Sequence, residues 1–358
     1  MKKTAIVGAT GIVGQQFLAA LNNHPWLEVT ALAASVRSAG KKYKEALLDP
    51  KTQALRWYVE KDPPAEFLDM EVENAANLDP SKFDVIFTAI ESDQAKTLEP
   101  KFAKESPVIS TASAFRYDPD IPIIIPGINS DHISLLDIQR KQRRWDGFII
   151  PIPNCTTTGL AISLKPIKDT FGLRSVIMTS MQAVSGAGRS PGVAALDITD
   201  NVIPFIPNEE QKVQGETRKI LGVLGDEGVE PANFNISCTC TRVNVLDGHT
   251  ESVFASTKEK CSVEGIKKTL GKYTGTLEDT RLPSSPKKLI VVQKDPYRPQ
   301  PRLDRDAYGG MATTVGRIRV DDVLKNGVKY LLVTHNTKMG AAKGAVLLAE
   351  LLIKKGYV

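Results

Sequence analysis

A single cysteine, Cys155, stands in the short stretch PIPNCTTTG, residues 151–159. An apolar run, 147–150, ends just before this stretch, and apolar residues within 156–169 recur at the spacing of a buried helix face. The sequence therefore predicts that Cys155 lies at a helix N-terminus, where unpaired N–H groups and the helix dipole favour a nucleophilic thiolate. A small buried hydrophobe is the alternative, because free cysteines are usually of that kind.

A second group with chemical potential is the glycine loop formed by Gly8, Gly11 and Gly14, with the pattern G-x-x-G-x-x-G. It lies between a predicted strand, 4–7, and a predicted helix, 15–21. This arrangement is typical of dinucleotide-binding domains, in which the helix N-terminus holds a pyrophosphate. A purely structural turn is the alternative.

The segment after the second predicted strand, 27–33, indicates which dinucleotide binds. NAD enzymes usually place an acid there for the ribose 2′-OH. Residues 33–42 contain no acid and carry Ser35, Arg37, Ser38 and two lysines. Hydroxyl and cationic groups suit a 2′-phosphate, so NADP is predicted, with a polar surface loop as the alternative.

Strands and helices alternate before Cys155, which predicts an α/β domain with a mainly parallel sheet. Arg116 follows a predicted strand end, where open α/β sheets bind ligands, although a lone loop arginine is more often a surface charge. The other strands predicted in this half lie at 57–59 and 70–72, both as short edge strands, 84–89 and 107–110. The helices predicted in this half lie at 92–104, with Ser92 as the cap, and at 131–144.

Strands follow strands after the Cys155 helix, so an α+β region is predicted there. Residues 236–245 and 250–256 are predicted to pair as an antiparallel hairpin, with Arg242 in the first strand and His249 just before the second. The other elements predicted here are the strand 174–184 with Gln182 near its end, the helix 208–224 with Asn208 as its cap, the strands 287–292, 311–320 and 330–334, and the closing helix 338–354.

Glu209 and Lys212 are three residues apart in the helix predicted at 208–224, so they share one face of it. A surface ion pair is the simplest interpretation of these two residues taken alone.

The composition predicts two globular domains and excludes several other classes. The chain has 358 residues, of which 42% are hydrophobic and 24% charged, and its net charge of +5 is spread along its length. Its four cysteines and four histidines are too scattered for a metal site, and its densest basic run lacks the spacing of a nucleic-acid-binding motif. Few cysteines, no secretory signal and no membrane-length apolar run predict a cytoplasmic protein without membrane or nucleic-acid partners.

These groups together suit one reaction class. A thiolate attacks an acyl carbon, and a hydride then passes between that carbon and a nicotinamide. A nearby histidine takes and returns protons, while cationic groups hold an anionic substrate.

Motifs along the whole chain resemble those of the aspartate-semialdehyde dehydrogenase family, in its archaeal and fungal type. The motifs are GATGIVGQQF, SVRSAGKKY, PNCTTTGLA, QAVSGAG, RPQPRLDR and HNTKMGAAKGAVLLAELLIKKGYV. The resemblance implies reduction of L-4-aspartyl phosphate to L-aspartate 4-semialdehyde with release of phosphate. It places this reaction in the biosynthesis of threonine, methionine and isoleucine, and of lysine in some organisms.

The resemblance also implies a role for each site residue. Cys155 resembles the nucleophile, His249 the acid/base group and Gln182 the residue that orients the thioacyl intermediate. The substrate-binding residues that it implies are Arg242 for the α-carboxylate, Glu209 for the amine, and Arg116 and Lys212, with Asn154 beside them, for phosphate. The NADP-binding residues that it implies are Gly8, Thr10, Gly11, Ile12, Val13, Ser35, Arg37, Ser38, Ser185, Gly186 and Asn336, with no metal.

The implied architecture is a Rossmann-type NADP-binding domain at 1–152, completed by a helix at 338–358, and an α+β catalytic and dimerisation domain at 153–337. The implied partners are a small-molecule substrate, inorganic phosphate and copies of the chain itself, in a homodimer or homotetramer. The sequence departs from the family pattern in four places. They are Thr156, where serine is usual, Thr111, where asparagine is common, Gly127, where glutamate is common, and Lys338-Met339, where a pair such as Ile-Arg is common.

Two other acyl reductases on the same scaffold, malonyl-CoA reductase and N-acetyl-γ-glutamyl-phosphate reductase, are the nearest alternatives. Arg116, Lys212 and Glu209 favour the amino-acid acyl phosphate, because they suit a phosphate and an amine. A non-catalytic NADP-binding regulator is a third alternative, which the presence of both Cys155 and His249 disfavours.

Overall fold

The structure is a computed structural model that describes residues 1–187, 195–225, 228–275 and 282–358. The strands within these ranges are β1 Lys2–Val7, β2 Leu27–Ala34, β3 Val72–Asn74, β4 Val85–Thr88, β5 Val108–Ser110, β6 Ile149–Pro151, β7 Leu173–Gln182, β8 Val202–Ile203, β9 Val223–Leu224, β10 Val229–Glu230, β11 Asn235–Val243, β12 His249–Thr257, β13 Ile290–Val292, β14 Thr313–Asp321 and β15 Gly327–Thr334. The α-helices are α1 Ile12–Leu21, α2 Tyr43–Ala46, α3 Ala65–Leu68, α4 Ser92–Ala103, α5 Leu135–Arg143, α6 Cys155–Phe171, α7 Ala195–Ile198, α8 Glu209–Ile220, α9 Val263–Lys272, α10 Pro301–Asp304 and α11 Ala342–Lys355.

The first sheet has six parallel strands in the order β3-β2-β1-β4-β5-β6, as the alternation of strands and helices predicts. Its central strands are buried on both faces, which is usual for parallel sheets. Ile6 and Phe87 lie in a core shared with α1 and α11, whereas Val7 and Ile86 lie in a second core with Phe102 of α4. The closing helix α11 thus packs against the first sheet, although its sequence comes last.

The second sheet has seven strands in the order β13-β14-β15-β12-β7-β11-β8, and α6, α8 and α9 pack against it. The predicted hairpin between β11 and β12 is wrong, because β7 lies between them, parallel to β11 and antiparallel to β12. The connection from β11 to β12 crosses the end of β7, where the N–H of Val184 donates to the carbonyl of Val245. This insertion brings the end of β7 next to the ends of both other strands.

Residues 57–59, predicted as an edge strand, instead form an irregular segment. The side-chain amide of Gln15 on α1 forms hydrogen bonds with the backbone of this part of the chain. It donates to the carbonyl of Arg56 at 2.7 Å and accepts from the N–H of Tyr58 at 2.8 Å. The edge strand predicted at 70–72 lies two residues later, at β3.

Several predicted helix ends also shift. Glu91, not Ser92, is the N-cap of α4, and the Ser92 hydroxyl lies 3.0 Å from that of Ser113. Helix α8 ends at Ile220, and α11 begins only at Ala342 because residues 335–341 form turns. None of the helices in the described residues is long and apolar enough to span a membrane.

Candidate active site

Cys155 is the first residue of α6, as the sequence predicts. Asn154 is the N-cap, and its side-chain oxygen accepts hydrogen bonds from the N–H groups of Thr156 at 2.9 Å and Thr157 at 3.1 Å. The cap satisfies donors that a helix start leaves unpaired, so it fixes where the helix begins. The thiol-bearing residue is therefore held by the geometry of the cap.

His249, the first residue of β12, lies beside the thiol. Its Nε2 is 3.2 Å from Sγ of Cys155, and its ring is fully buried. Its other nitrogen, Nδ1, accepts a hydrogen bond from the backbone N–H of Ala183 at 3.1 Å. Because a neutral imidazole carries one proton, we assign that proton to Nε2, which faces the sulfur.

The surroundings shift the pKa of each group of this pair in the direction that favours its neutral form. Burial, followed by the charge of Glu209, raises the pKa of the Cys155 thiol to about 12. The positive charge of Arg242 and the N–H of Thr156 lower this pKa, but their effect is smaller. Burial, followed by Arg242, lowers the pKa of His249 to about 3. Desolvation therefore opposes the thiolate that the helix start favours, and the thiolate at Cys155 stays a prediction.

The ends of two neighbouring strands place Gln182 and Arg242 beside His249. The two residues are directly paired between β7 and β11, and Nη1 of Arg242 donates to the carbonyl of Ala183 at 2.9 Å. Arg242 and Gln182 are also 3.4 Å apart, between Nη1 and Oε1. A buried guanidinium at this point can hold a carboxylate close to the thiol.

Glu209 collects amide donors from both sides of the site. Its Oε1 accepts from Nδ2 of Asn154 at 2.9 Å and from Nε2 of Gln182 at 3.1 Å. Glu209 begins α8, and the residue before it, Asn208, is the N-cap in a left-handed conformation. The carboxylate is buried near the sulfur, where it can accept from a substrate ammonium group.

Arg116 and Lys212 lie along the same cavity, in a position suited to an anion. Arg116 is buried, and its Nη2 donates to the carbonyl of Thr111 at 3.1 Å. This contact uses the backbone, so it does not depend on threonine replacing asparagine there. Nη1 of Arg116 donates to Glu216 at 2.9 Å. Glu216 was not predicted from the sequence, although it follows Glu209 by two helical turns.

The cavity beside Cys155, called here the catalytic cavity, has a volume of about 820 Å³ and adjoins a nucleotide cavity of about 910 Å³. Ile12, Val13 and Glu91 line both. All but one of the predicted catalytic and substrate-binding residues line the catalytic cavity. They are Cys155, Asn154, Gln182, Arg116, Glu209, Lys212 and Arg242. His249 stands behind Cys155 and does not line the cavity.

The second cavity fits a dinucleotide. The predicted residues in its wall are Thr10, Gly11, Ile12, Val13, Ser35, Arg37 and Ser38. Gly8 lies under the loop with φ of +89°, and a Cβ atom there would come within 2.2 Å of the carbonyl oxygen of Ala89. Gly14 is equally closed, since its Cβ would lie 2.2 Å from the carbonyl oxygen of Gly8. The glycines therefore let the loop pack tightly, while Gly11 keeps backbone exposed at the start of α1.

Ser185, Gly186 and Asn336 line the catalytic cavity. Asn336 donates from Nδ2 to the hydroxyl of Ser185 at 2.8 Å and accepts from the N–H of Gly248 at 2.9 Å. A Cβ atom on Gly186 would lie 2.9 Å from Cε1 of His249, so this position requires glycine.

Sequence reasoning missed some of the residues that complete the two cavities. Arg56 and Tyr58 line the nucleotide cavity, and both come from the irregular segment that carries no recognisable motif, whereas Lys41, which lines it too, is one of the two lysines noted in the sequence. Met339 and Gly127, two of the departures from the family pattern, lie outside both cavities. Among the residues that the structure describes, His, Cys, Asp and Glu side chains do not assemble into a metal site.

Two family models match the chain. The NAD binding domain of semialdehyde dehydrogenase matches residues 3–136, and the dimerisation domain of semialdehyde dehydrogenase matches residues 164–339. The first match covers β1 to β5 of the six-stranded sheet, and the second covers all strands of the seven-stranded sheet.

Relatives match over the full length. The aspartate-semialdehyde dehydrogenase of Archaeoglobus fulgidus is 47% identical, with 99% of this chain and 98% of the relative covered. That of Methanothermobacter thermautotrophicus is 44% identical, with 98% and 99% covered. The crystal structure of aspartate-semialdehyde dehydrogenase with NADP from Candida albicans superposes with a TM-score of 0.89 at 36% identity and covers 100% of both chains.

Proposed function

The chain belongs to the aspartate-semialdehyde dehydrogenase family, and from that premise we propose that Cys155 is the nucleophile of an NADP-dependent reduction of L-4-aspartyl phosphate to L-aspartate 4-semialdehyde. The observation that carries this proposal is the 3.2 Å contact between Sγ of Cys155 and Nε2 of His249, at a helix start that faces the groove leading to the glycine loop. A thiol, a ring N–H and a nucleotide cavity are the minimum that the reaction requires.

Charged side chains around the thiol complement the substrate. Arg242 binds its α-carboxylate and Glu209 its ammonium group, so the β-acyl carbon points to Cys155. Arg116 and Lys212 bind the phosphoryl group. Buried charges in fixed positions orient the acyl carbon for attack, which lowers the entropic part of the barrier.

In the first half of the reaction, a C–S bond forms between Cys155 and the acyl carbon while the bond to the phosphate oxygen breaks. The thiol proton leaves with the phosphate, whose charge Arg116 and Lys212 offset. His249 donates a hydrogen bond from Nε2 to the sulfur, and Gln182 orients the thioacyl group. Because Nδ1 of His249 already accepts from Ala183, we favour this donor role over the proton exchange that the resemblance implies.

NADPH, when bound, supplies the hydride that reduces the thioester. The substrate oxygen then carries a negative charge and expels Cys155 as a thiolate, which is again stabilised by the N–H of His249. Asn336 and Ser185 both line the catalytic cavity, and the 2.8 Å hydrogen bond between their side chains fixes their positions in its wall. The thiolate takes a proton from solvent and the protein returns to its starting state.

We also propose that Ser35, Arg37 and Ser38 select NADP over NAD. All three line the nucleotide cavity, where a guanidinium and two hydroxyls suit a 2′-phosphate. Lys41 lines the same wall and adds a further cation.

The domain boundary belongs to the proposal. We place the NADP-binding domain at residues 1–152 with 338–358 and the catalytic domain at 153–337, because β6 ends at Pro151 and α6 begins at Cys155. The second domain forms a homodimer or homotetramer. Its match to a dimerisation domain supports this, as does the half-exposed Ile177 on the face of β7 opposite to Gln182.

The test is NADPH formation from L-aspartate semialdehyde, followed at 340 nm, with and without inorganic phosphate. We expect a phosphate-dependent rate that is higher with NADP than with NAD. No rate with this substrate, together with NADPH oxidation by malonyl-CoA, would assign the chain to the CoA-reductase alternative and overturn the roles of Lys212 and Glu209. NADP binding without any turnover would support the non-catalytic alternative.

A further inference from the structure

Glu216 is a buried carboxylate to which the reaction above gives no role. It lies on α8, seven residues after Glu209 and hence about two turns along the same face. Its Oε1 accepts from Nη1 of Arg116 at 2.9 Å, and its Oε2 accepts from the backbone N–H of Asn154 at 2.7 Å. A single carboxylate therefore joins the arginine proposed to hold phosphate to the residue directly before the nucleophile.

Asn154 determines where α6 begins, because it is the N-cap of that helix. Helix α8 holds this cap at two points. Glu209 accepts from its side-chain Nδ2 at 2.9 Å, and Glu216 accepts from its backbone N–H at 2.7 Å. A change in the hydrogen bond between Glu216 and the N–H of Asn154 therefore changes the position of Cys155, the next residue.

The loop that carries Arg116 is attached to the same helix. Lys219, one turn after Glu216, donates from Nζ to the carbonyl oxygens of Arg116 at 2.8 Å, Asp118 at 2.9 Å and Ile121 at 2.7 Å. Three carbonyls on one ammonium group leave the loop little freedom to move away from α8. The guanidinium is therefore presented to Glu216 by a fixed backbone.

A phosphate that binds Arg116 competes with Glu216 for the same guanidinium. The side chain of Glu216 is fully buried, so water cannot take the place of Arg116 when phosphate weakens the ion pair between them. The carboxylate of Glu216 then interacts more strongly with its remaining donor, the N–H of Asn154. We propose that Glu216 is a positioning residue that couples occupancy of the phosphate site to the position of Cys155. This inference rests on the proposed phosphate-binding role of Arg116. The coupling is reciprocal, so the state of the thiol also changes phosphate affinity.

Glu216→Gln tests the coupling in the intact enzyme. Glutamine has the size of glutamate, but one acceptor oxygen becomes an NH₂ donor, so it can satisfy Arg116 or Asn154 and not both. Removal of the negative charge leaves Arg116 free for the anion. In phosphate-dependent NADPH formation, we expect KM for phosphate to fall about three- to ten-fold and kcat to fall by about ten-fold or more.

Two further variants distinguish the effect of the Glu216 charge from the effect of its side-chain length and of charge elsewhere on α8. Glu216→Asp keeps the charge but shortens the side chain, so kcat should fall while KM for phosphate does not fall below the wild-type value. Glu210→Gln removes a charge from the same helix without touching Arg116 or Asn154, because Glu210 contacts the N–H of Cys240. Its kinetics should match wild type.

A higher KM for phosphate in Glu216→Gln would overturn the coupling, since it would mean that Glu216 only orients Arg116. An unchanged kcat in either Glu216 variant would overturn it as well, and Glu216→Asp provides this test even if Glu216→Gln does not fold. Wild-type protein that shows no phosphate-dependent activity would instead overturn the proposed function, so the two failures are distinguishable.

Discussion

Nε2 of His249 lies 3.2 Å from the sulfur of Cys155, while the N–H of Ala183 occupies the other ring nitrogen of the same histidine. The backbone therefore selects the tautomer of the His249 ring. A histidine held this way presents a proton to the sulfur and to the charge that develops beside it.

The first prediction is the protonation state of His249. In ¹⁵N-histidine NMR spectra, its Nε2 should carry the proton and Nδ1 should not, and this pattern should persist from pH 8 to pH 5. The physical reason for its persistence is that burial lowers the pKa of His249 to about 3, so the neutral form dominates above that value. His249→Gln identifies the signals by their loss. A proton on Nδ1, or a titration near pH 6.5, would contradict the assignment.

The second prediction concerns the thiol. The negative charge of Glu209 raises the pKa of Cys155, so Glu209→Gln should lower this pKa and increase the thiolate fraction at a given pH. We expect iodoacetamide to alkylate Cys155 several-fold faster at pH 8 in the variant than in wild type, as measured on the peptide that contains Cys155. Glu210→Gln is the matched control and should leave the rate unchanged. Slower alkylation in Glu209→Gln would show that another group governs the thiol pKa.

The third prediction concerns the substrate carboxylate. Arg242→Lys keeps a positive charge but loses the fork of N–H donors, including the 2.9 Å contact with the carbonyl of Ala183. Loss of a charge-assisted hydrogen bond costs about 1.5–3 kcal/mol, so kcat/KM for L-aspartate semialdehyde should fall about 10- to 100-fold. NADP affinity, measured by fluorescence titration, should stay at the wild-type value. An unchanged kcat/KM would remove Arg242 from the substrate site.

The fourth prediction tests the NADP preference. Arg37→Ala should raise KM for NADP about ten-fold or more and leave KM for NAD nearly unchanged, because only NADP carries the 2′-phosphate. Lys51→Ala, an exposed cation of the same domain that does not line the nucleotide cavity, is the control and should change neither. Equal effects of Arg37→Ala on both cofactors would mean that Arg37 contacts a part common to them.

The fifth prediction uses the close approach at Gly186. Its Cβ in Gly186→Ala would lie 2.9 Å from Cε1 of His249 and 3.1 Å from Nη1 of Arg242, so the imidazole ring must shift and the guanidinium must yield slightly. We expect kcat to fall about ten-fold or more, since a displacement of about 1 Å in a catalytic group can cost 100-fold. Gly271→Ala, whose added Cβ would come no nearer than 3.8 Å to the side chain of Val292, is the control and should keep the wild-type kcat. Wild-type kcat in Gly186→Ala would show that the site has more freedom than this packing indicates.

The features that the sequence predicts well are local. Neighbouring residues determine that α6 begins at Cys155, and the glycine loop follows from the backbone conformations that Gly8 and Gly14 permit. The insertion of β7 between β11 and β12 could not be predicted, because strand pairing depends on contacts between residues distant in sequence.

The pKa shifts and buried ion pairs of the site could not be predicted from the sequence either. The helix start alone favours a thiolate at Cys155, whereas desolvation in the fold, followed by the charge of Glu209, raises the pKa of the thiol. Glu216 was missed for the same reason: its two partners come from loops about 60 and 100 residues away, and each contact exists only in the folded chain.

The central claim is that a covalent thioacyl intermediate forms on Cys155. Its most direct test is to mix the protein with L-aspartate semialdehyde and NADP in the absence of phosphate and to quench the reaction with acid. The protein is then digested, and the masses of its peptides are measured by mass spectrometry. We predict an aspartyl adduct on the peptide that contains Cys155, no adduct in Cys155→Ala, an unaltered adduct in Cys261→Ala, and rapid loss of the adduct when phosphate is added. An adduct on another cysteine, or turnover in Cys155→Ala, would contradict the account.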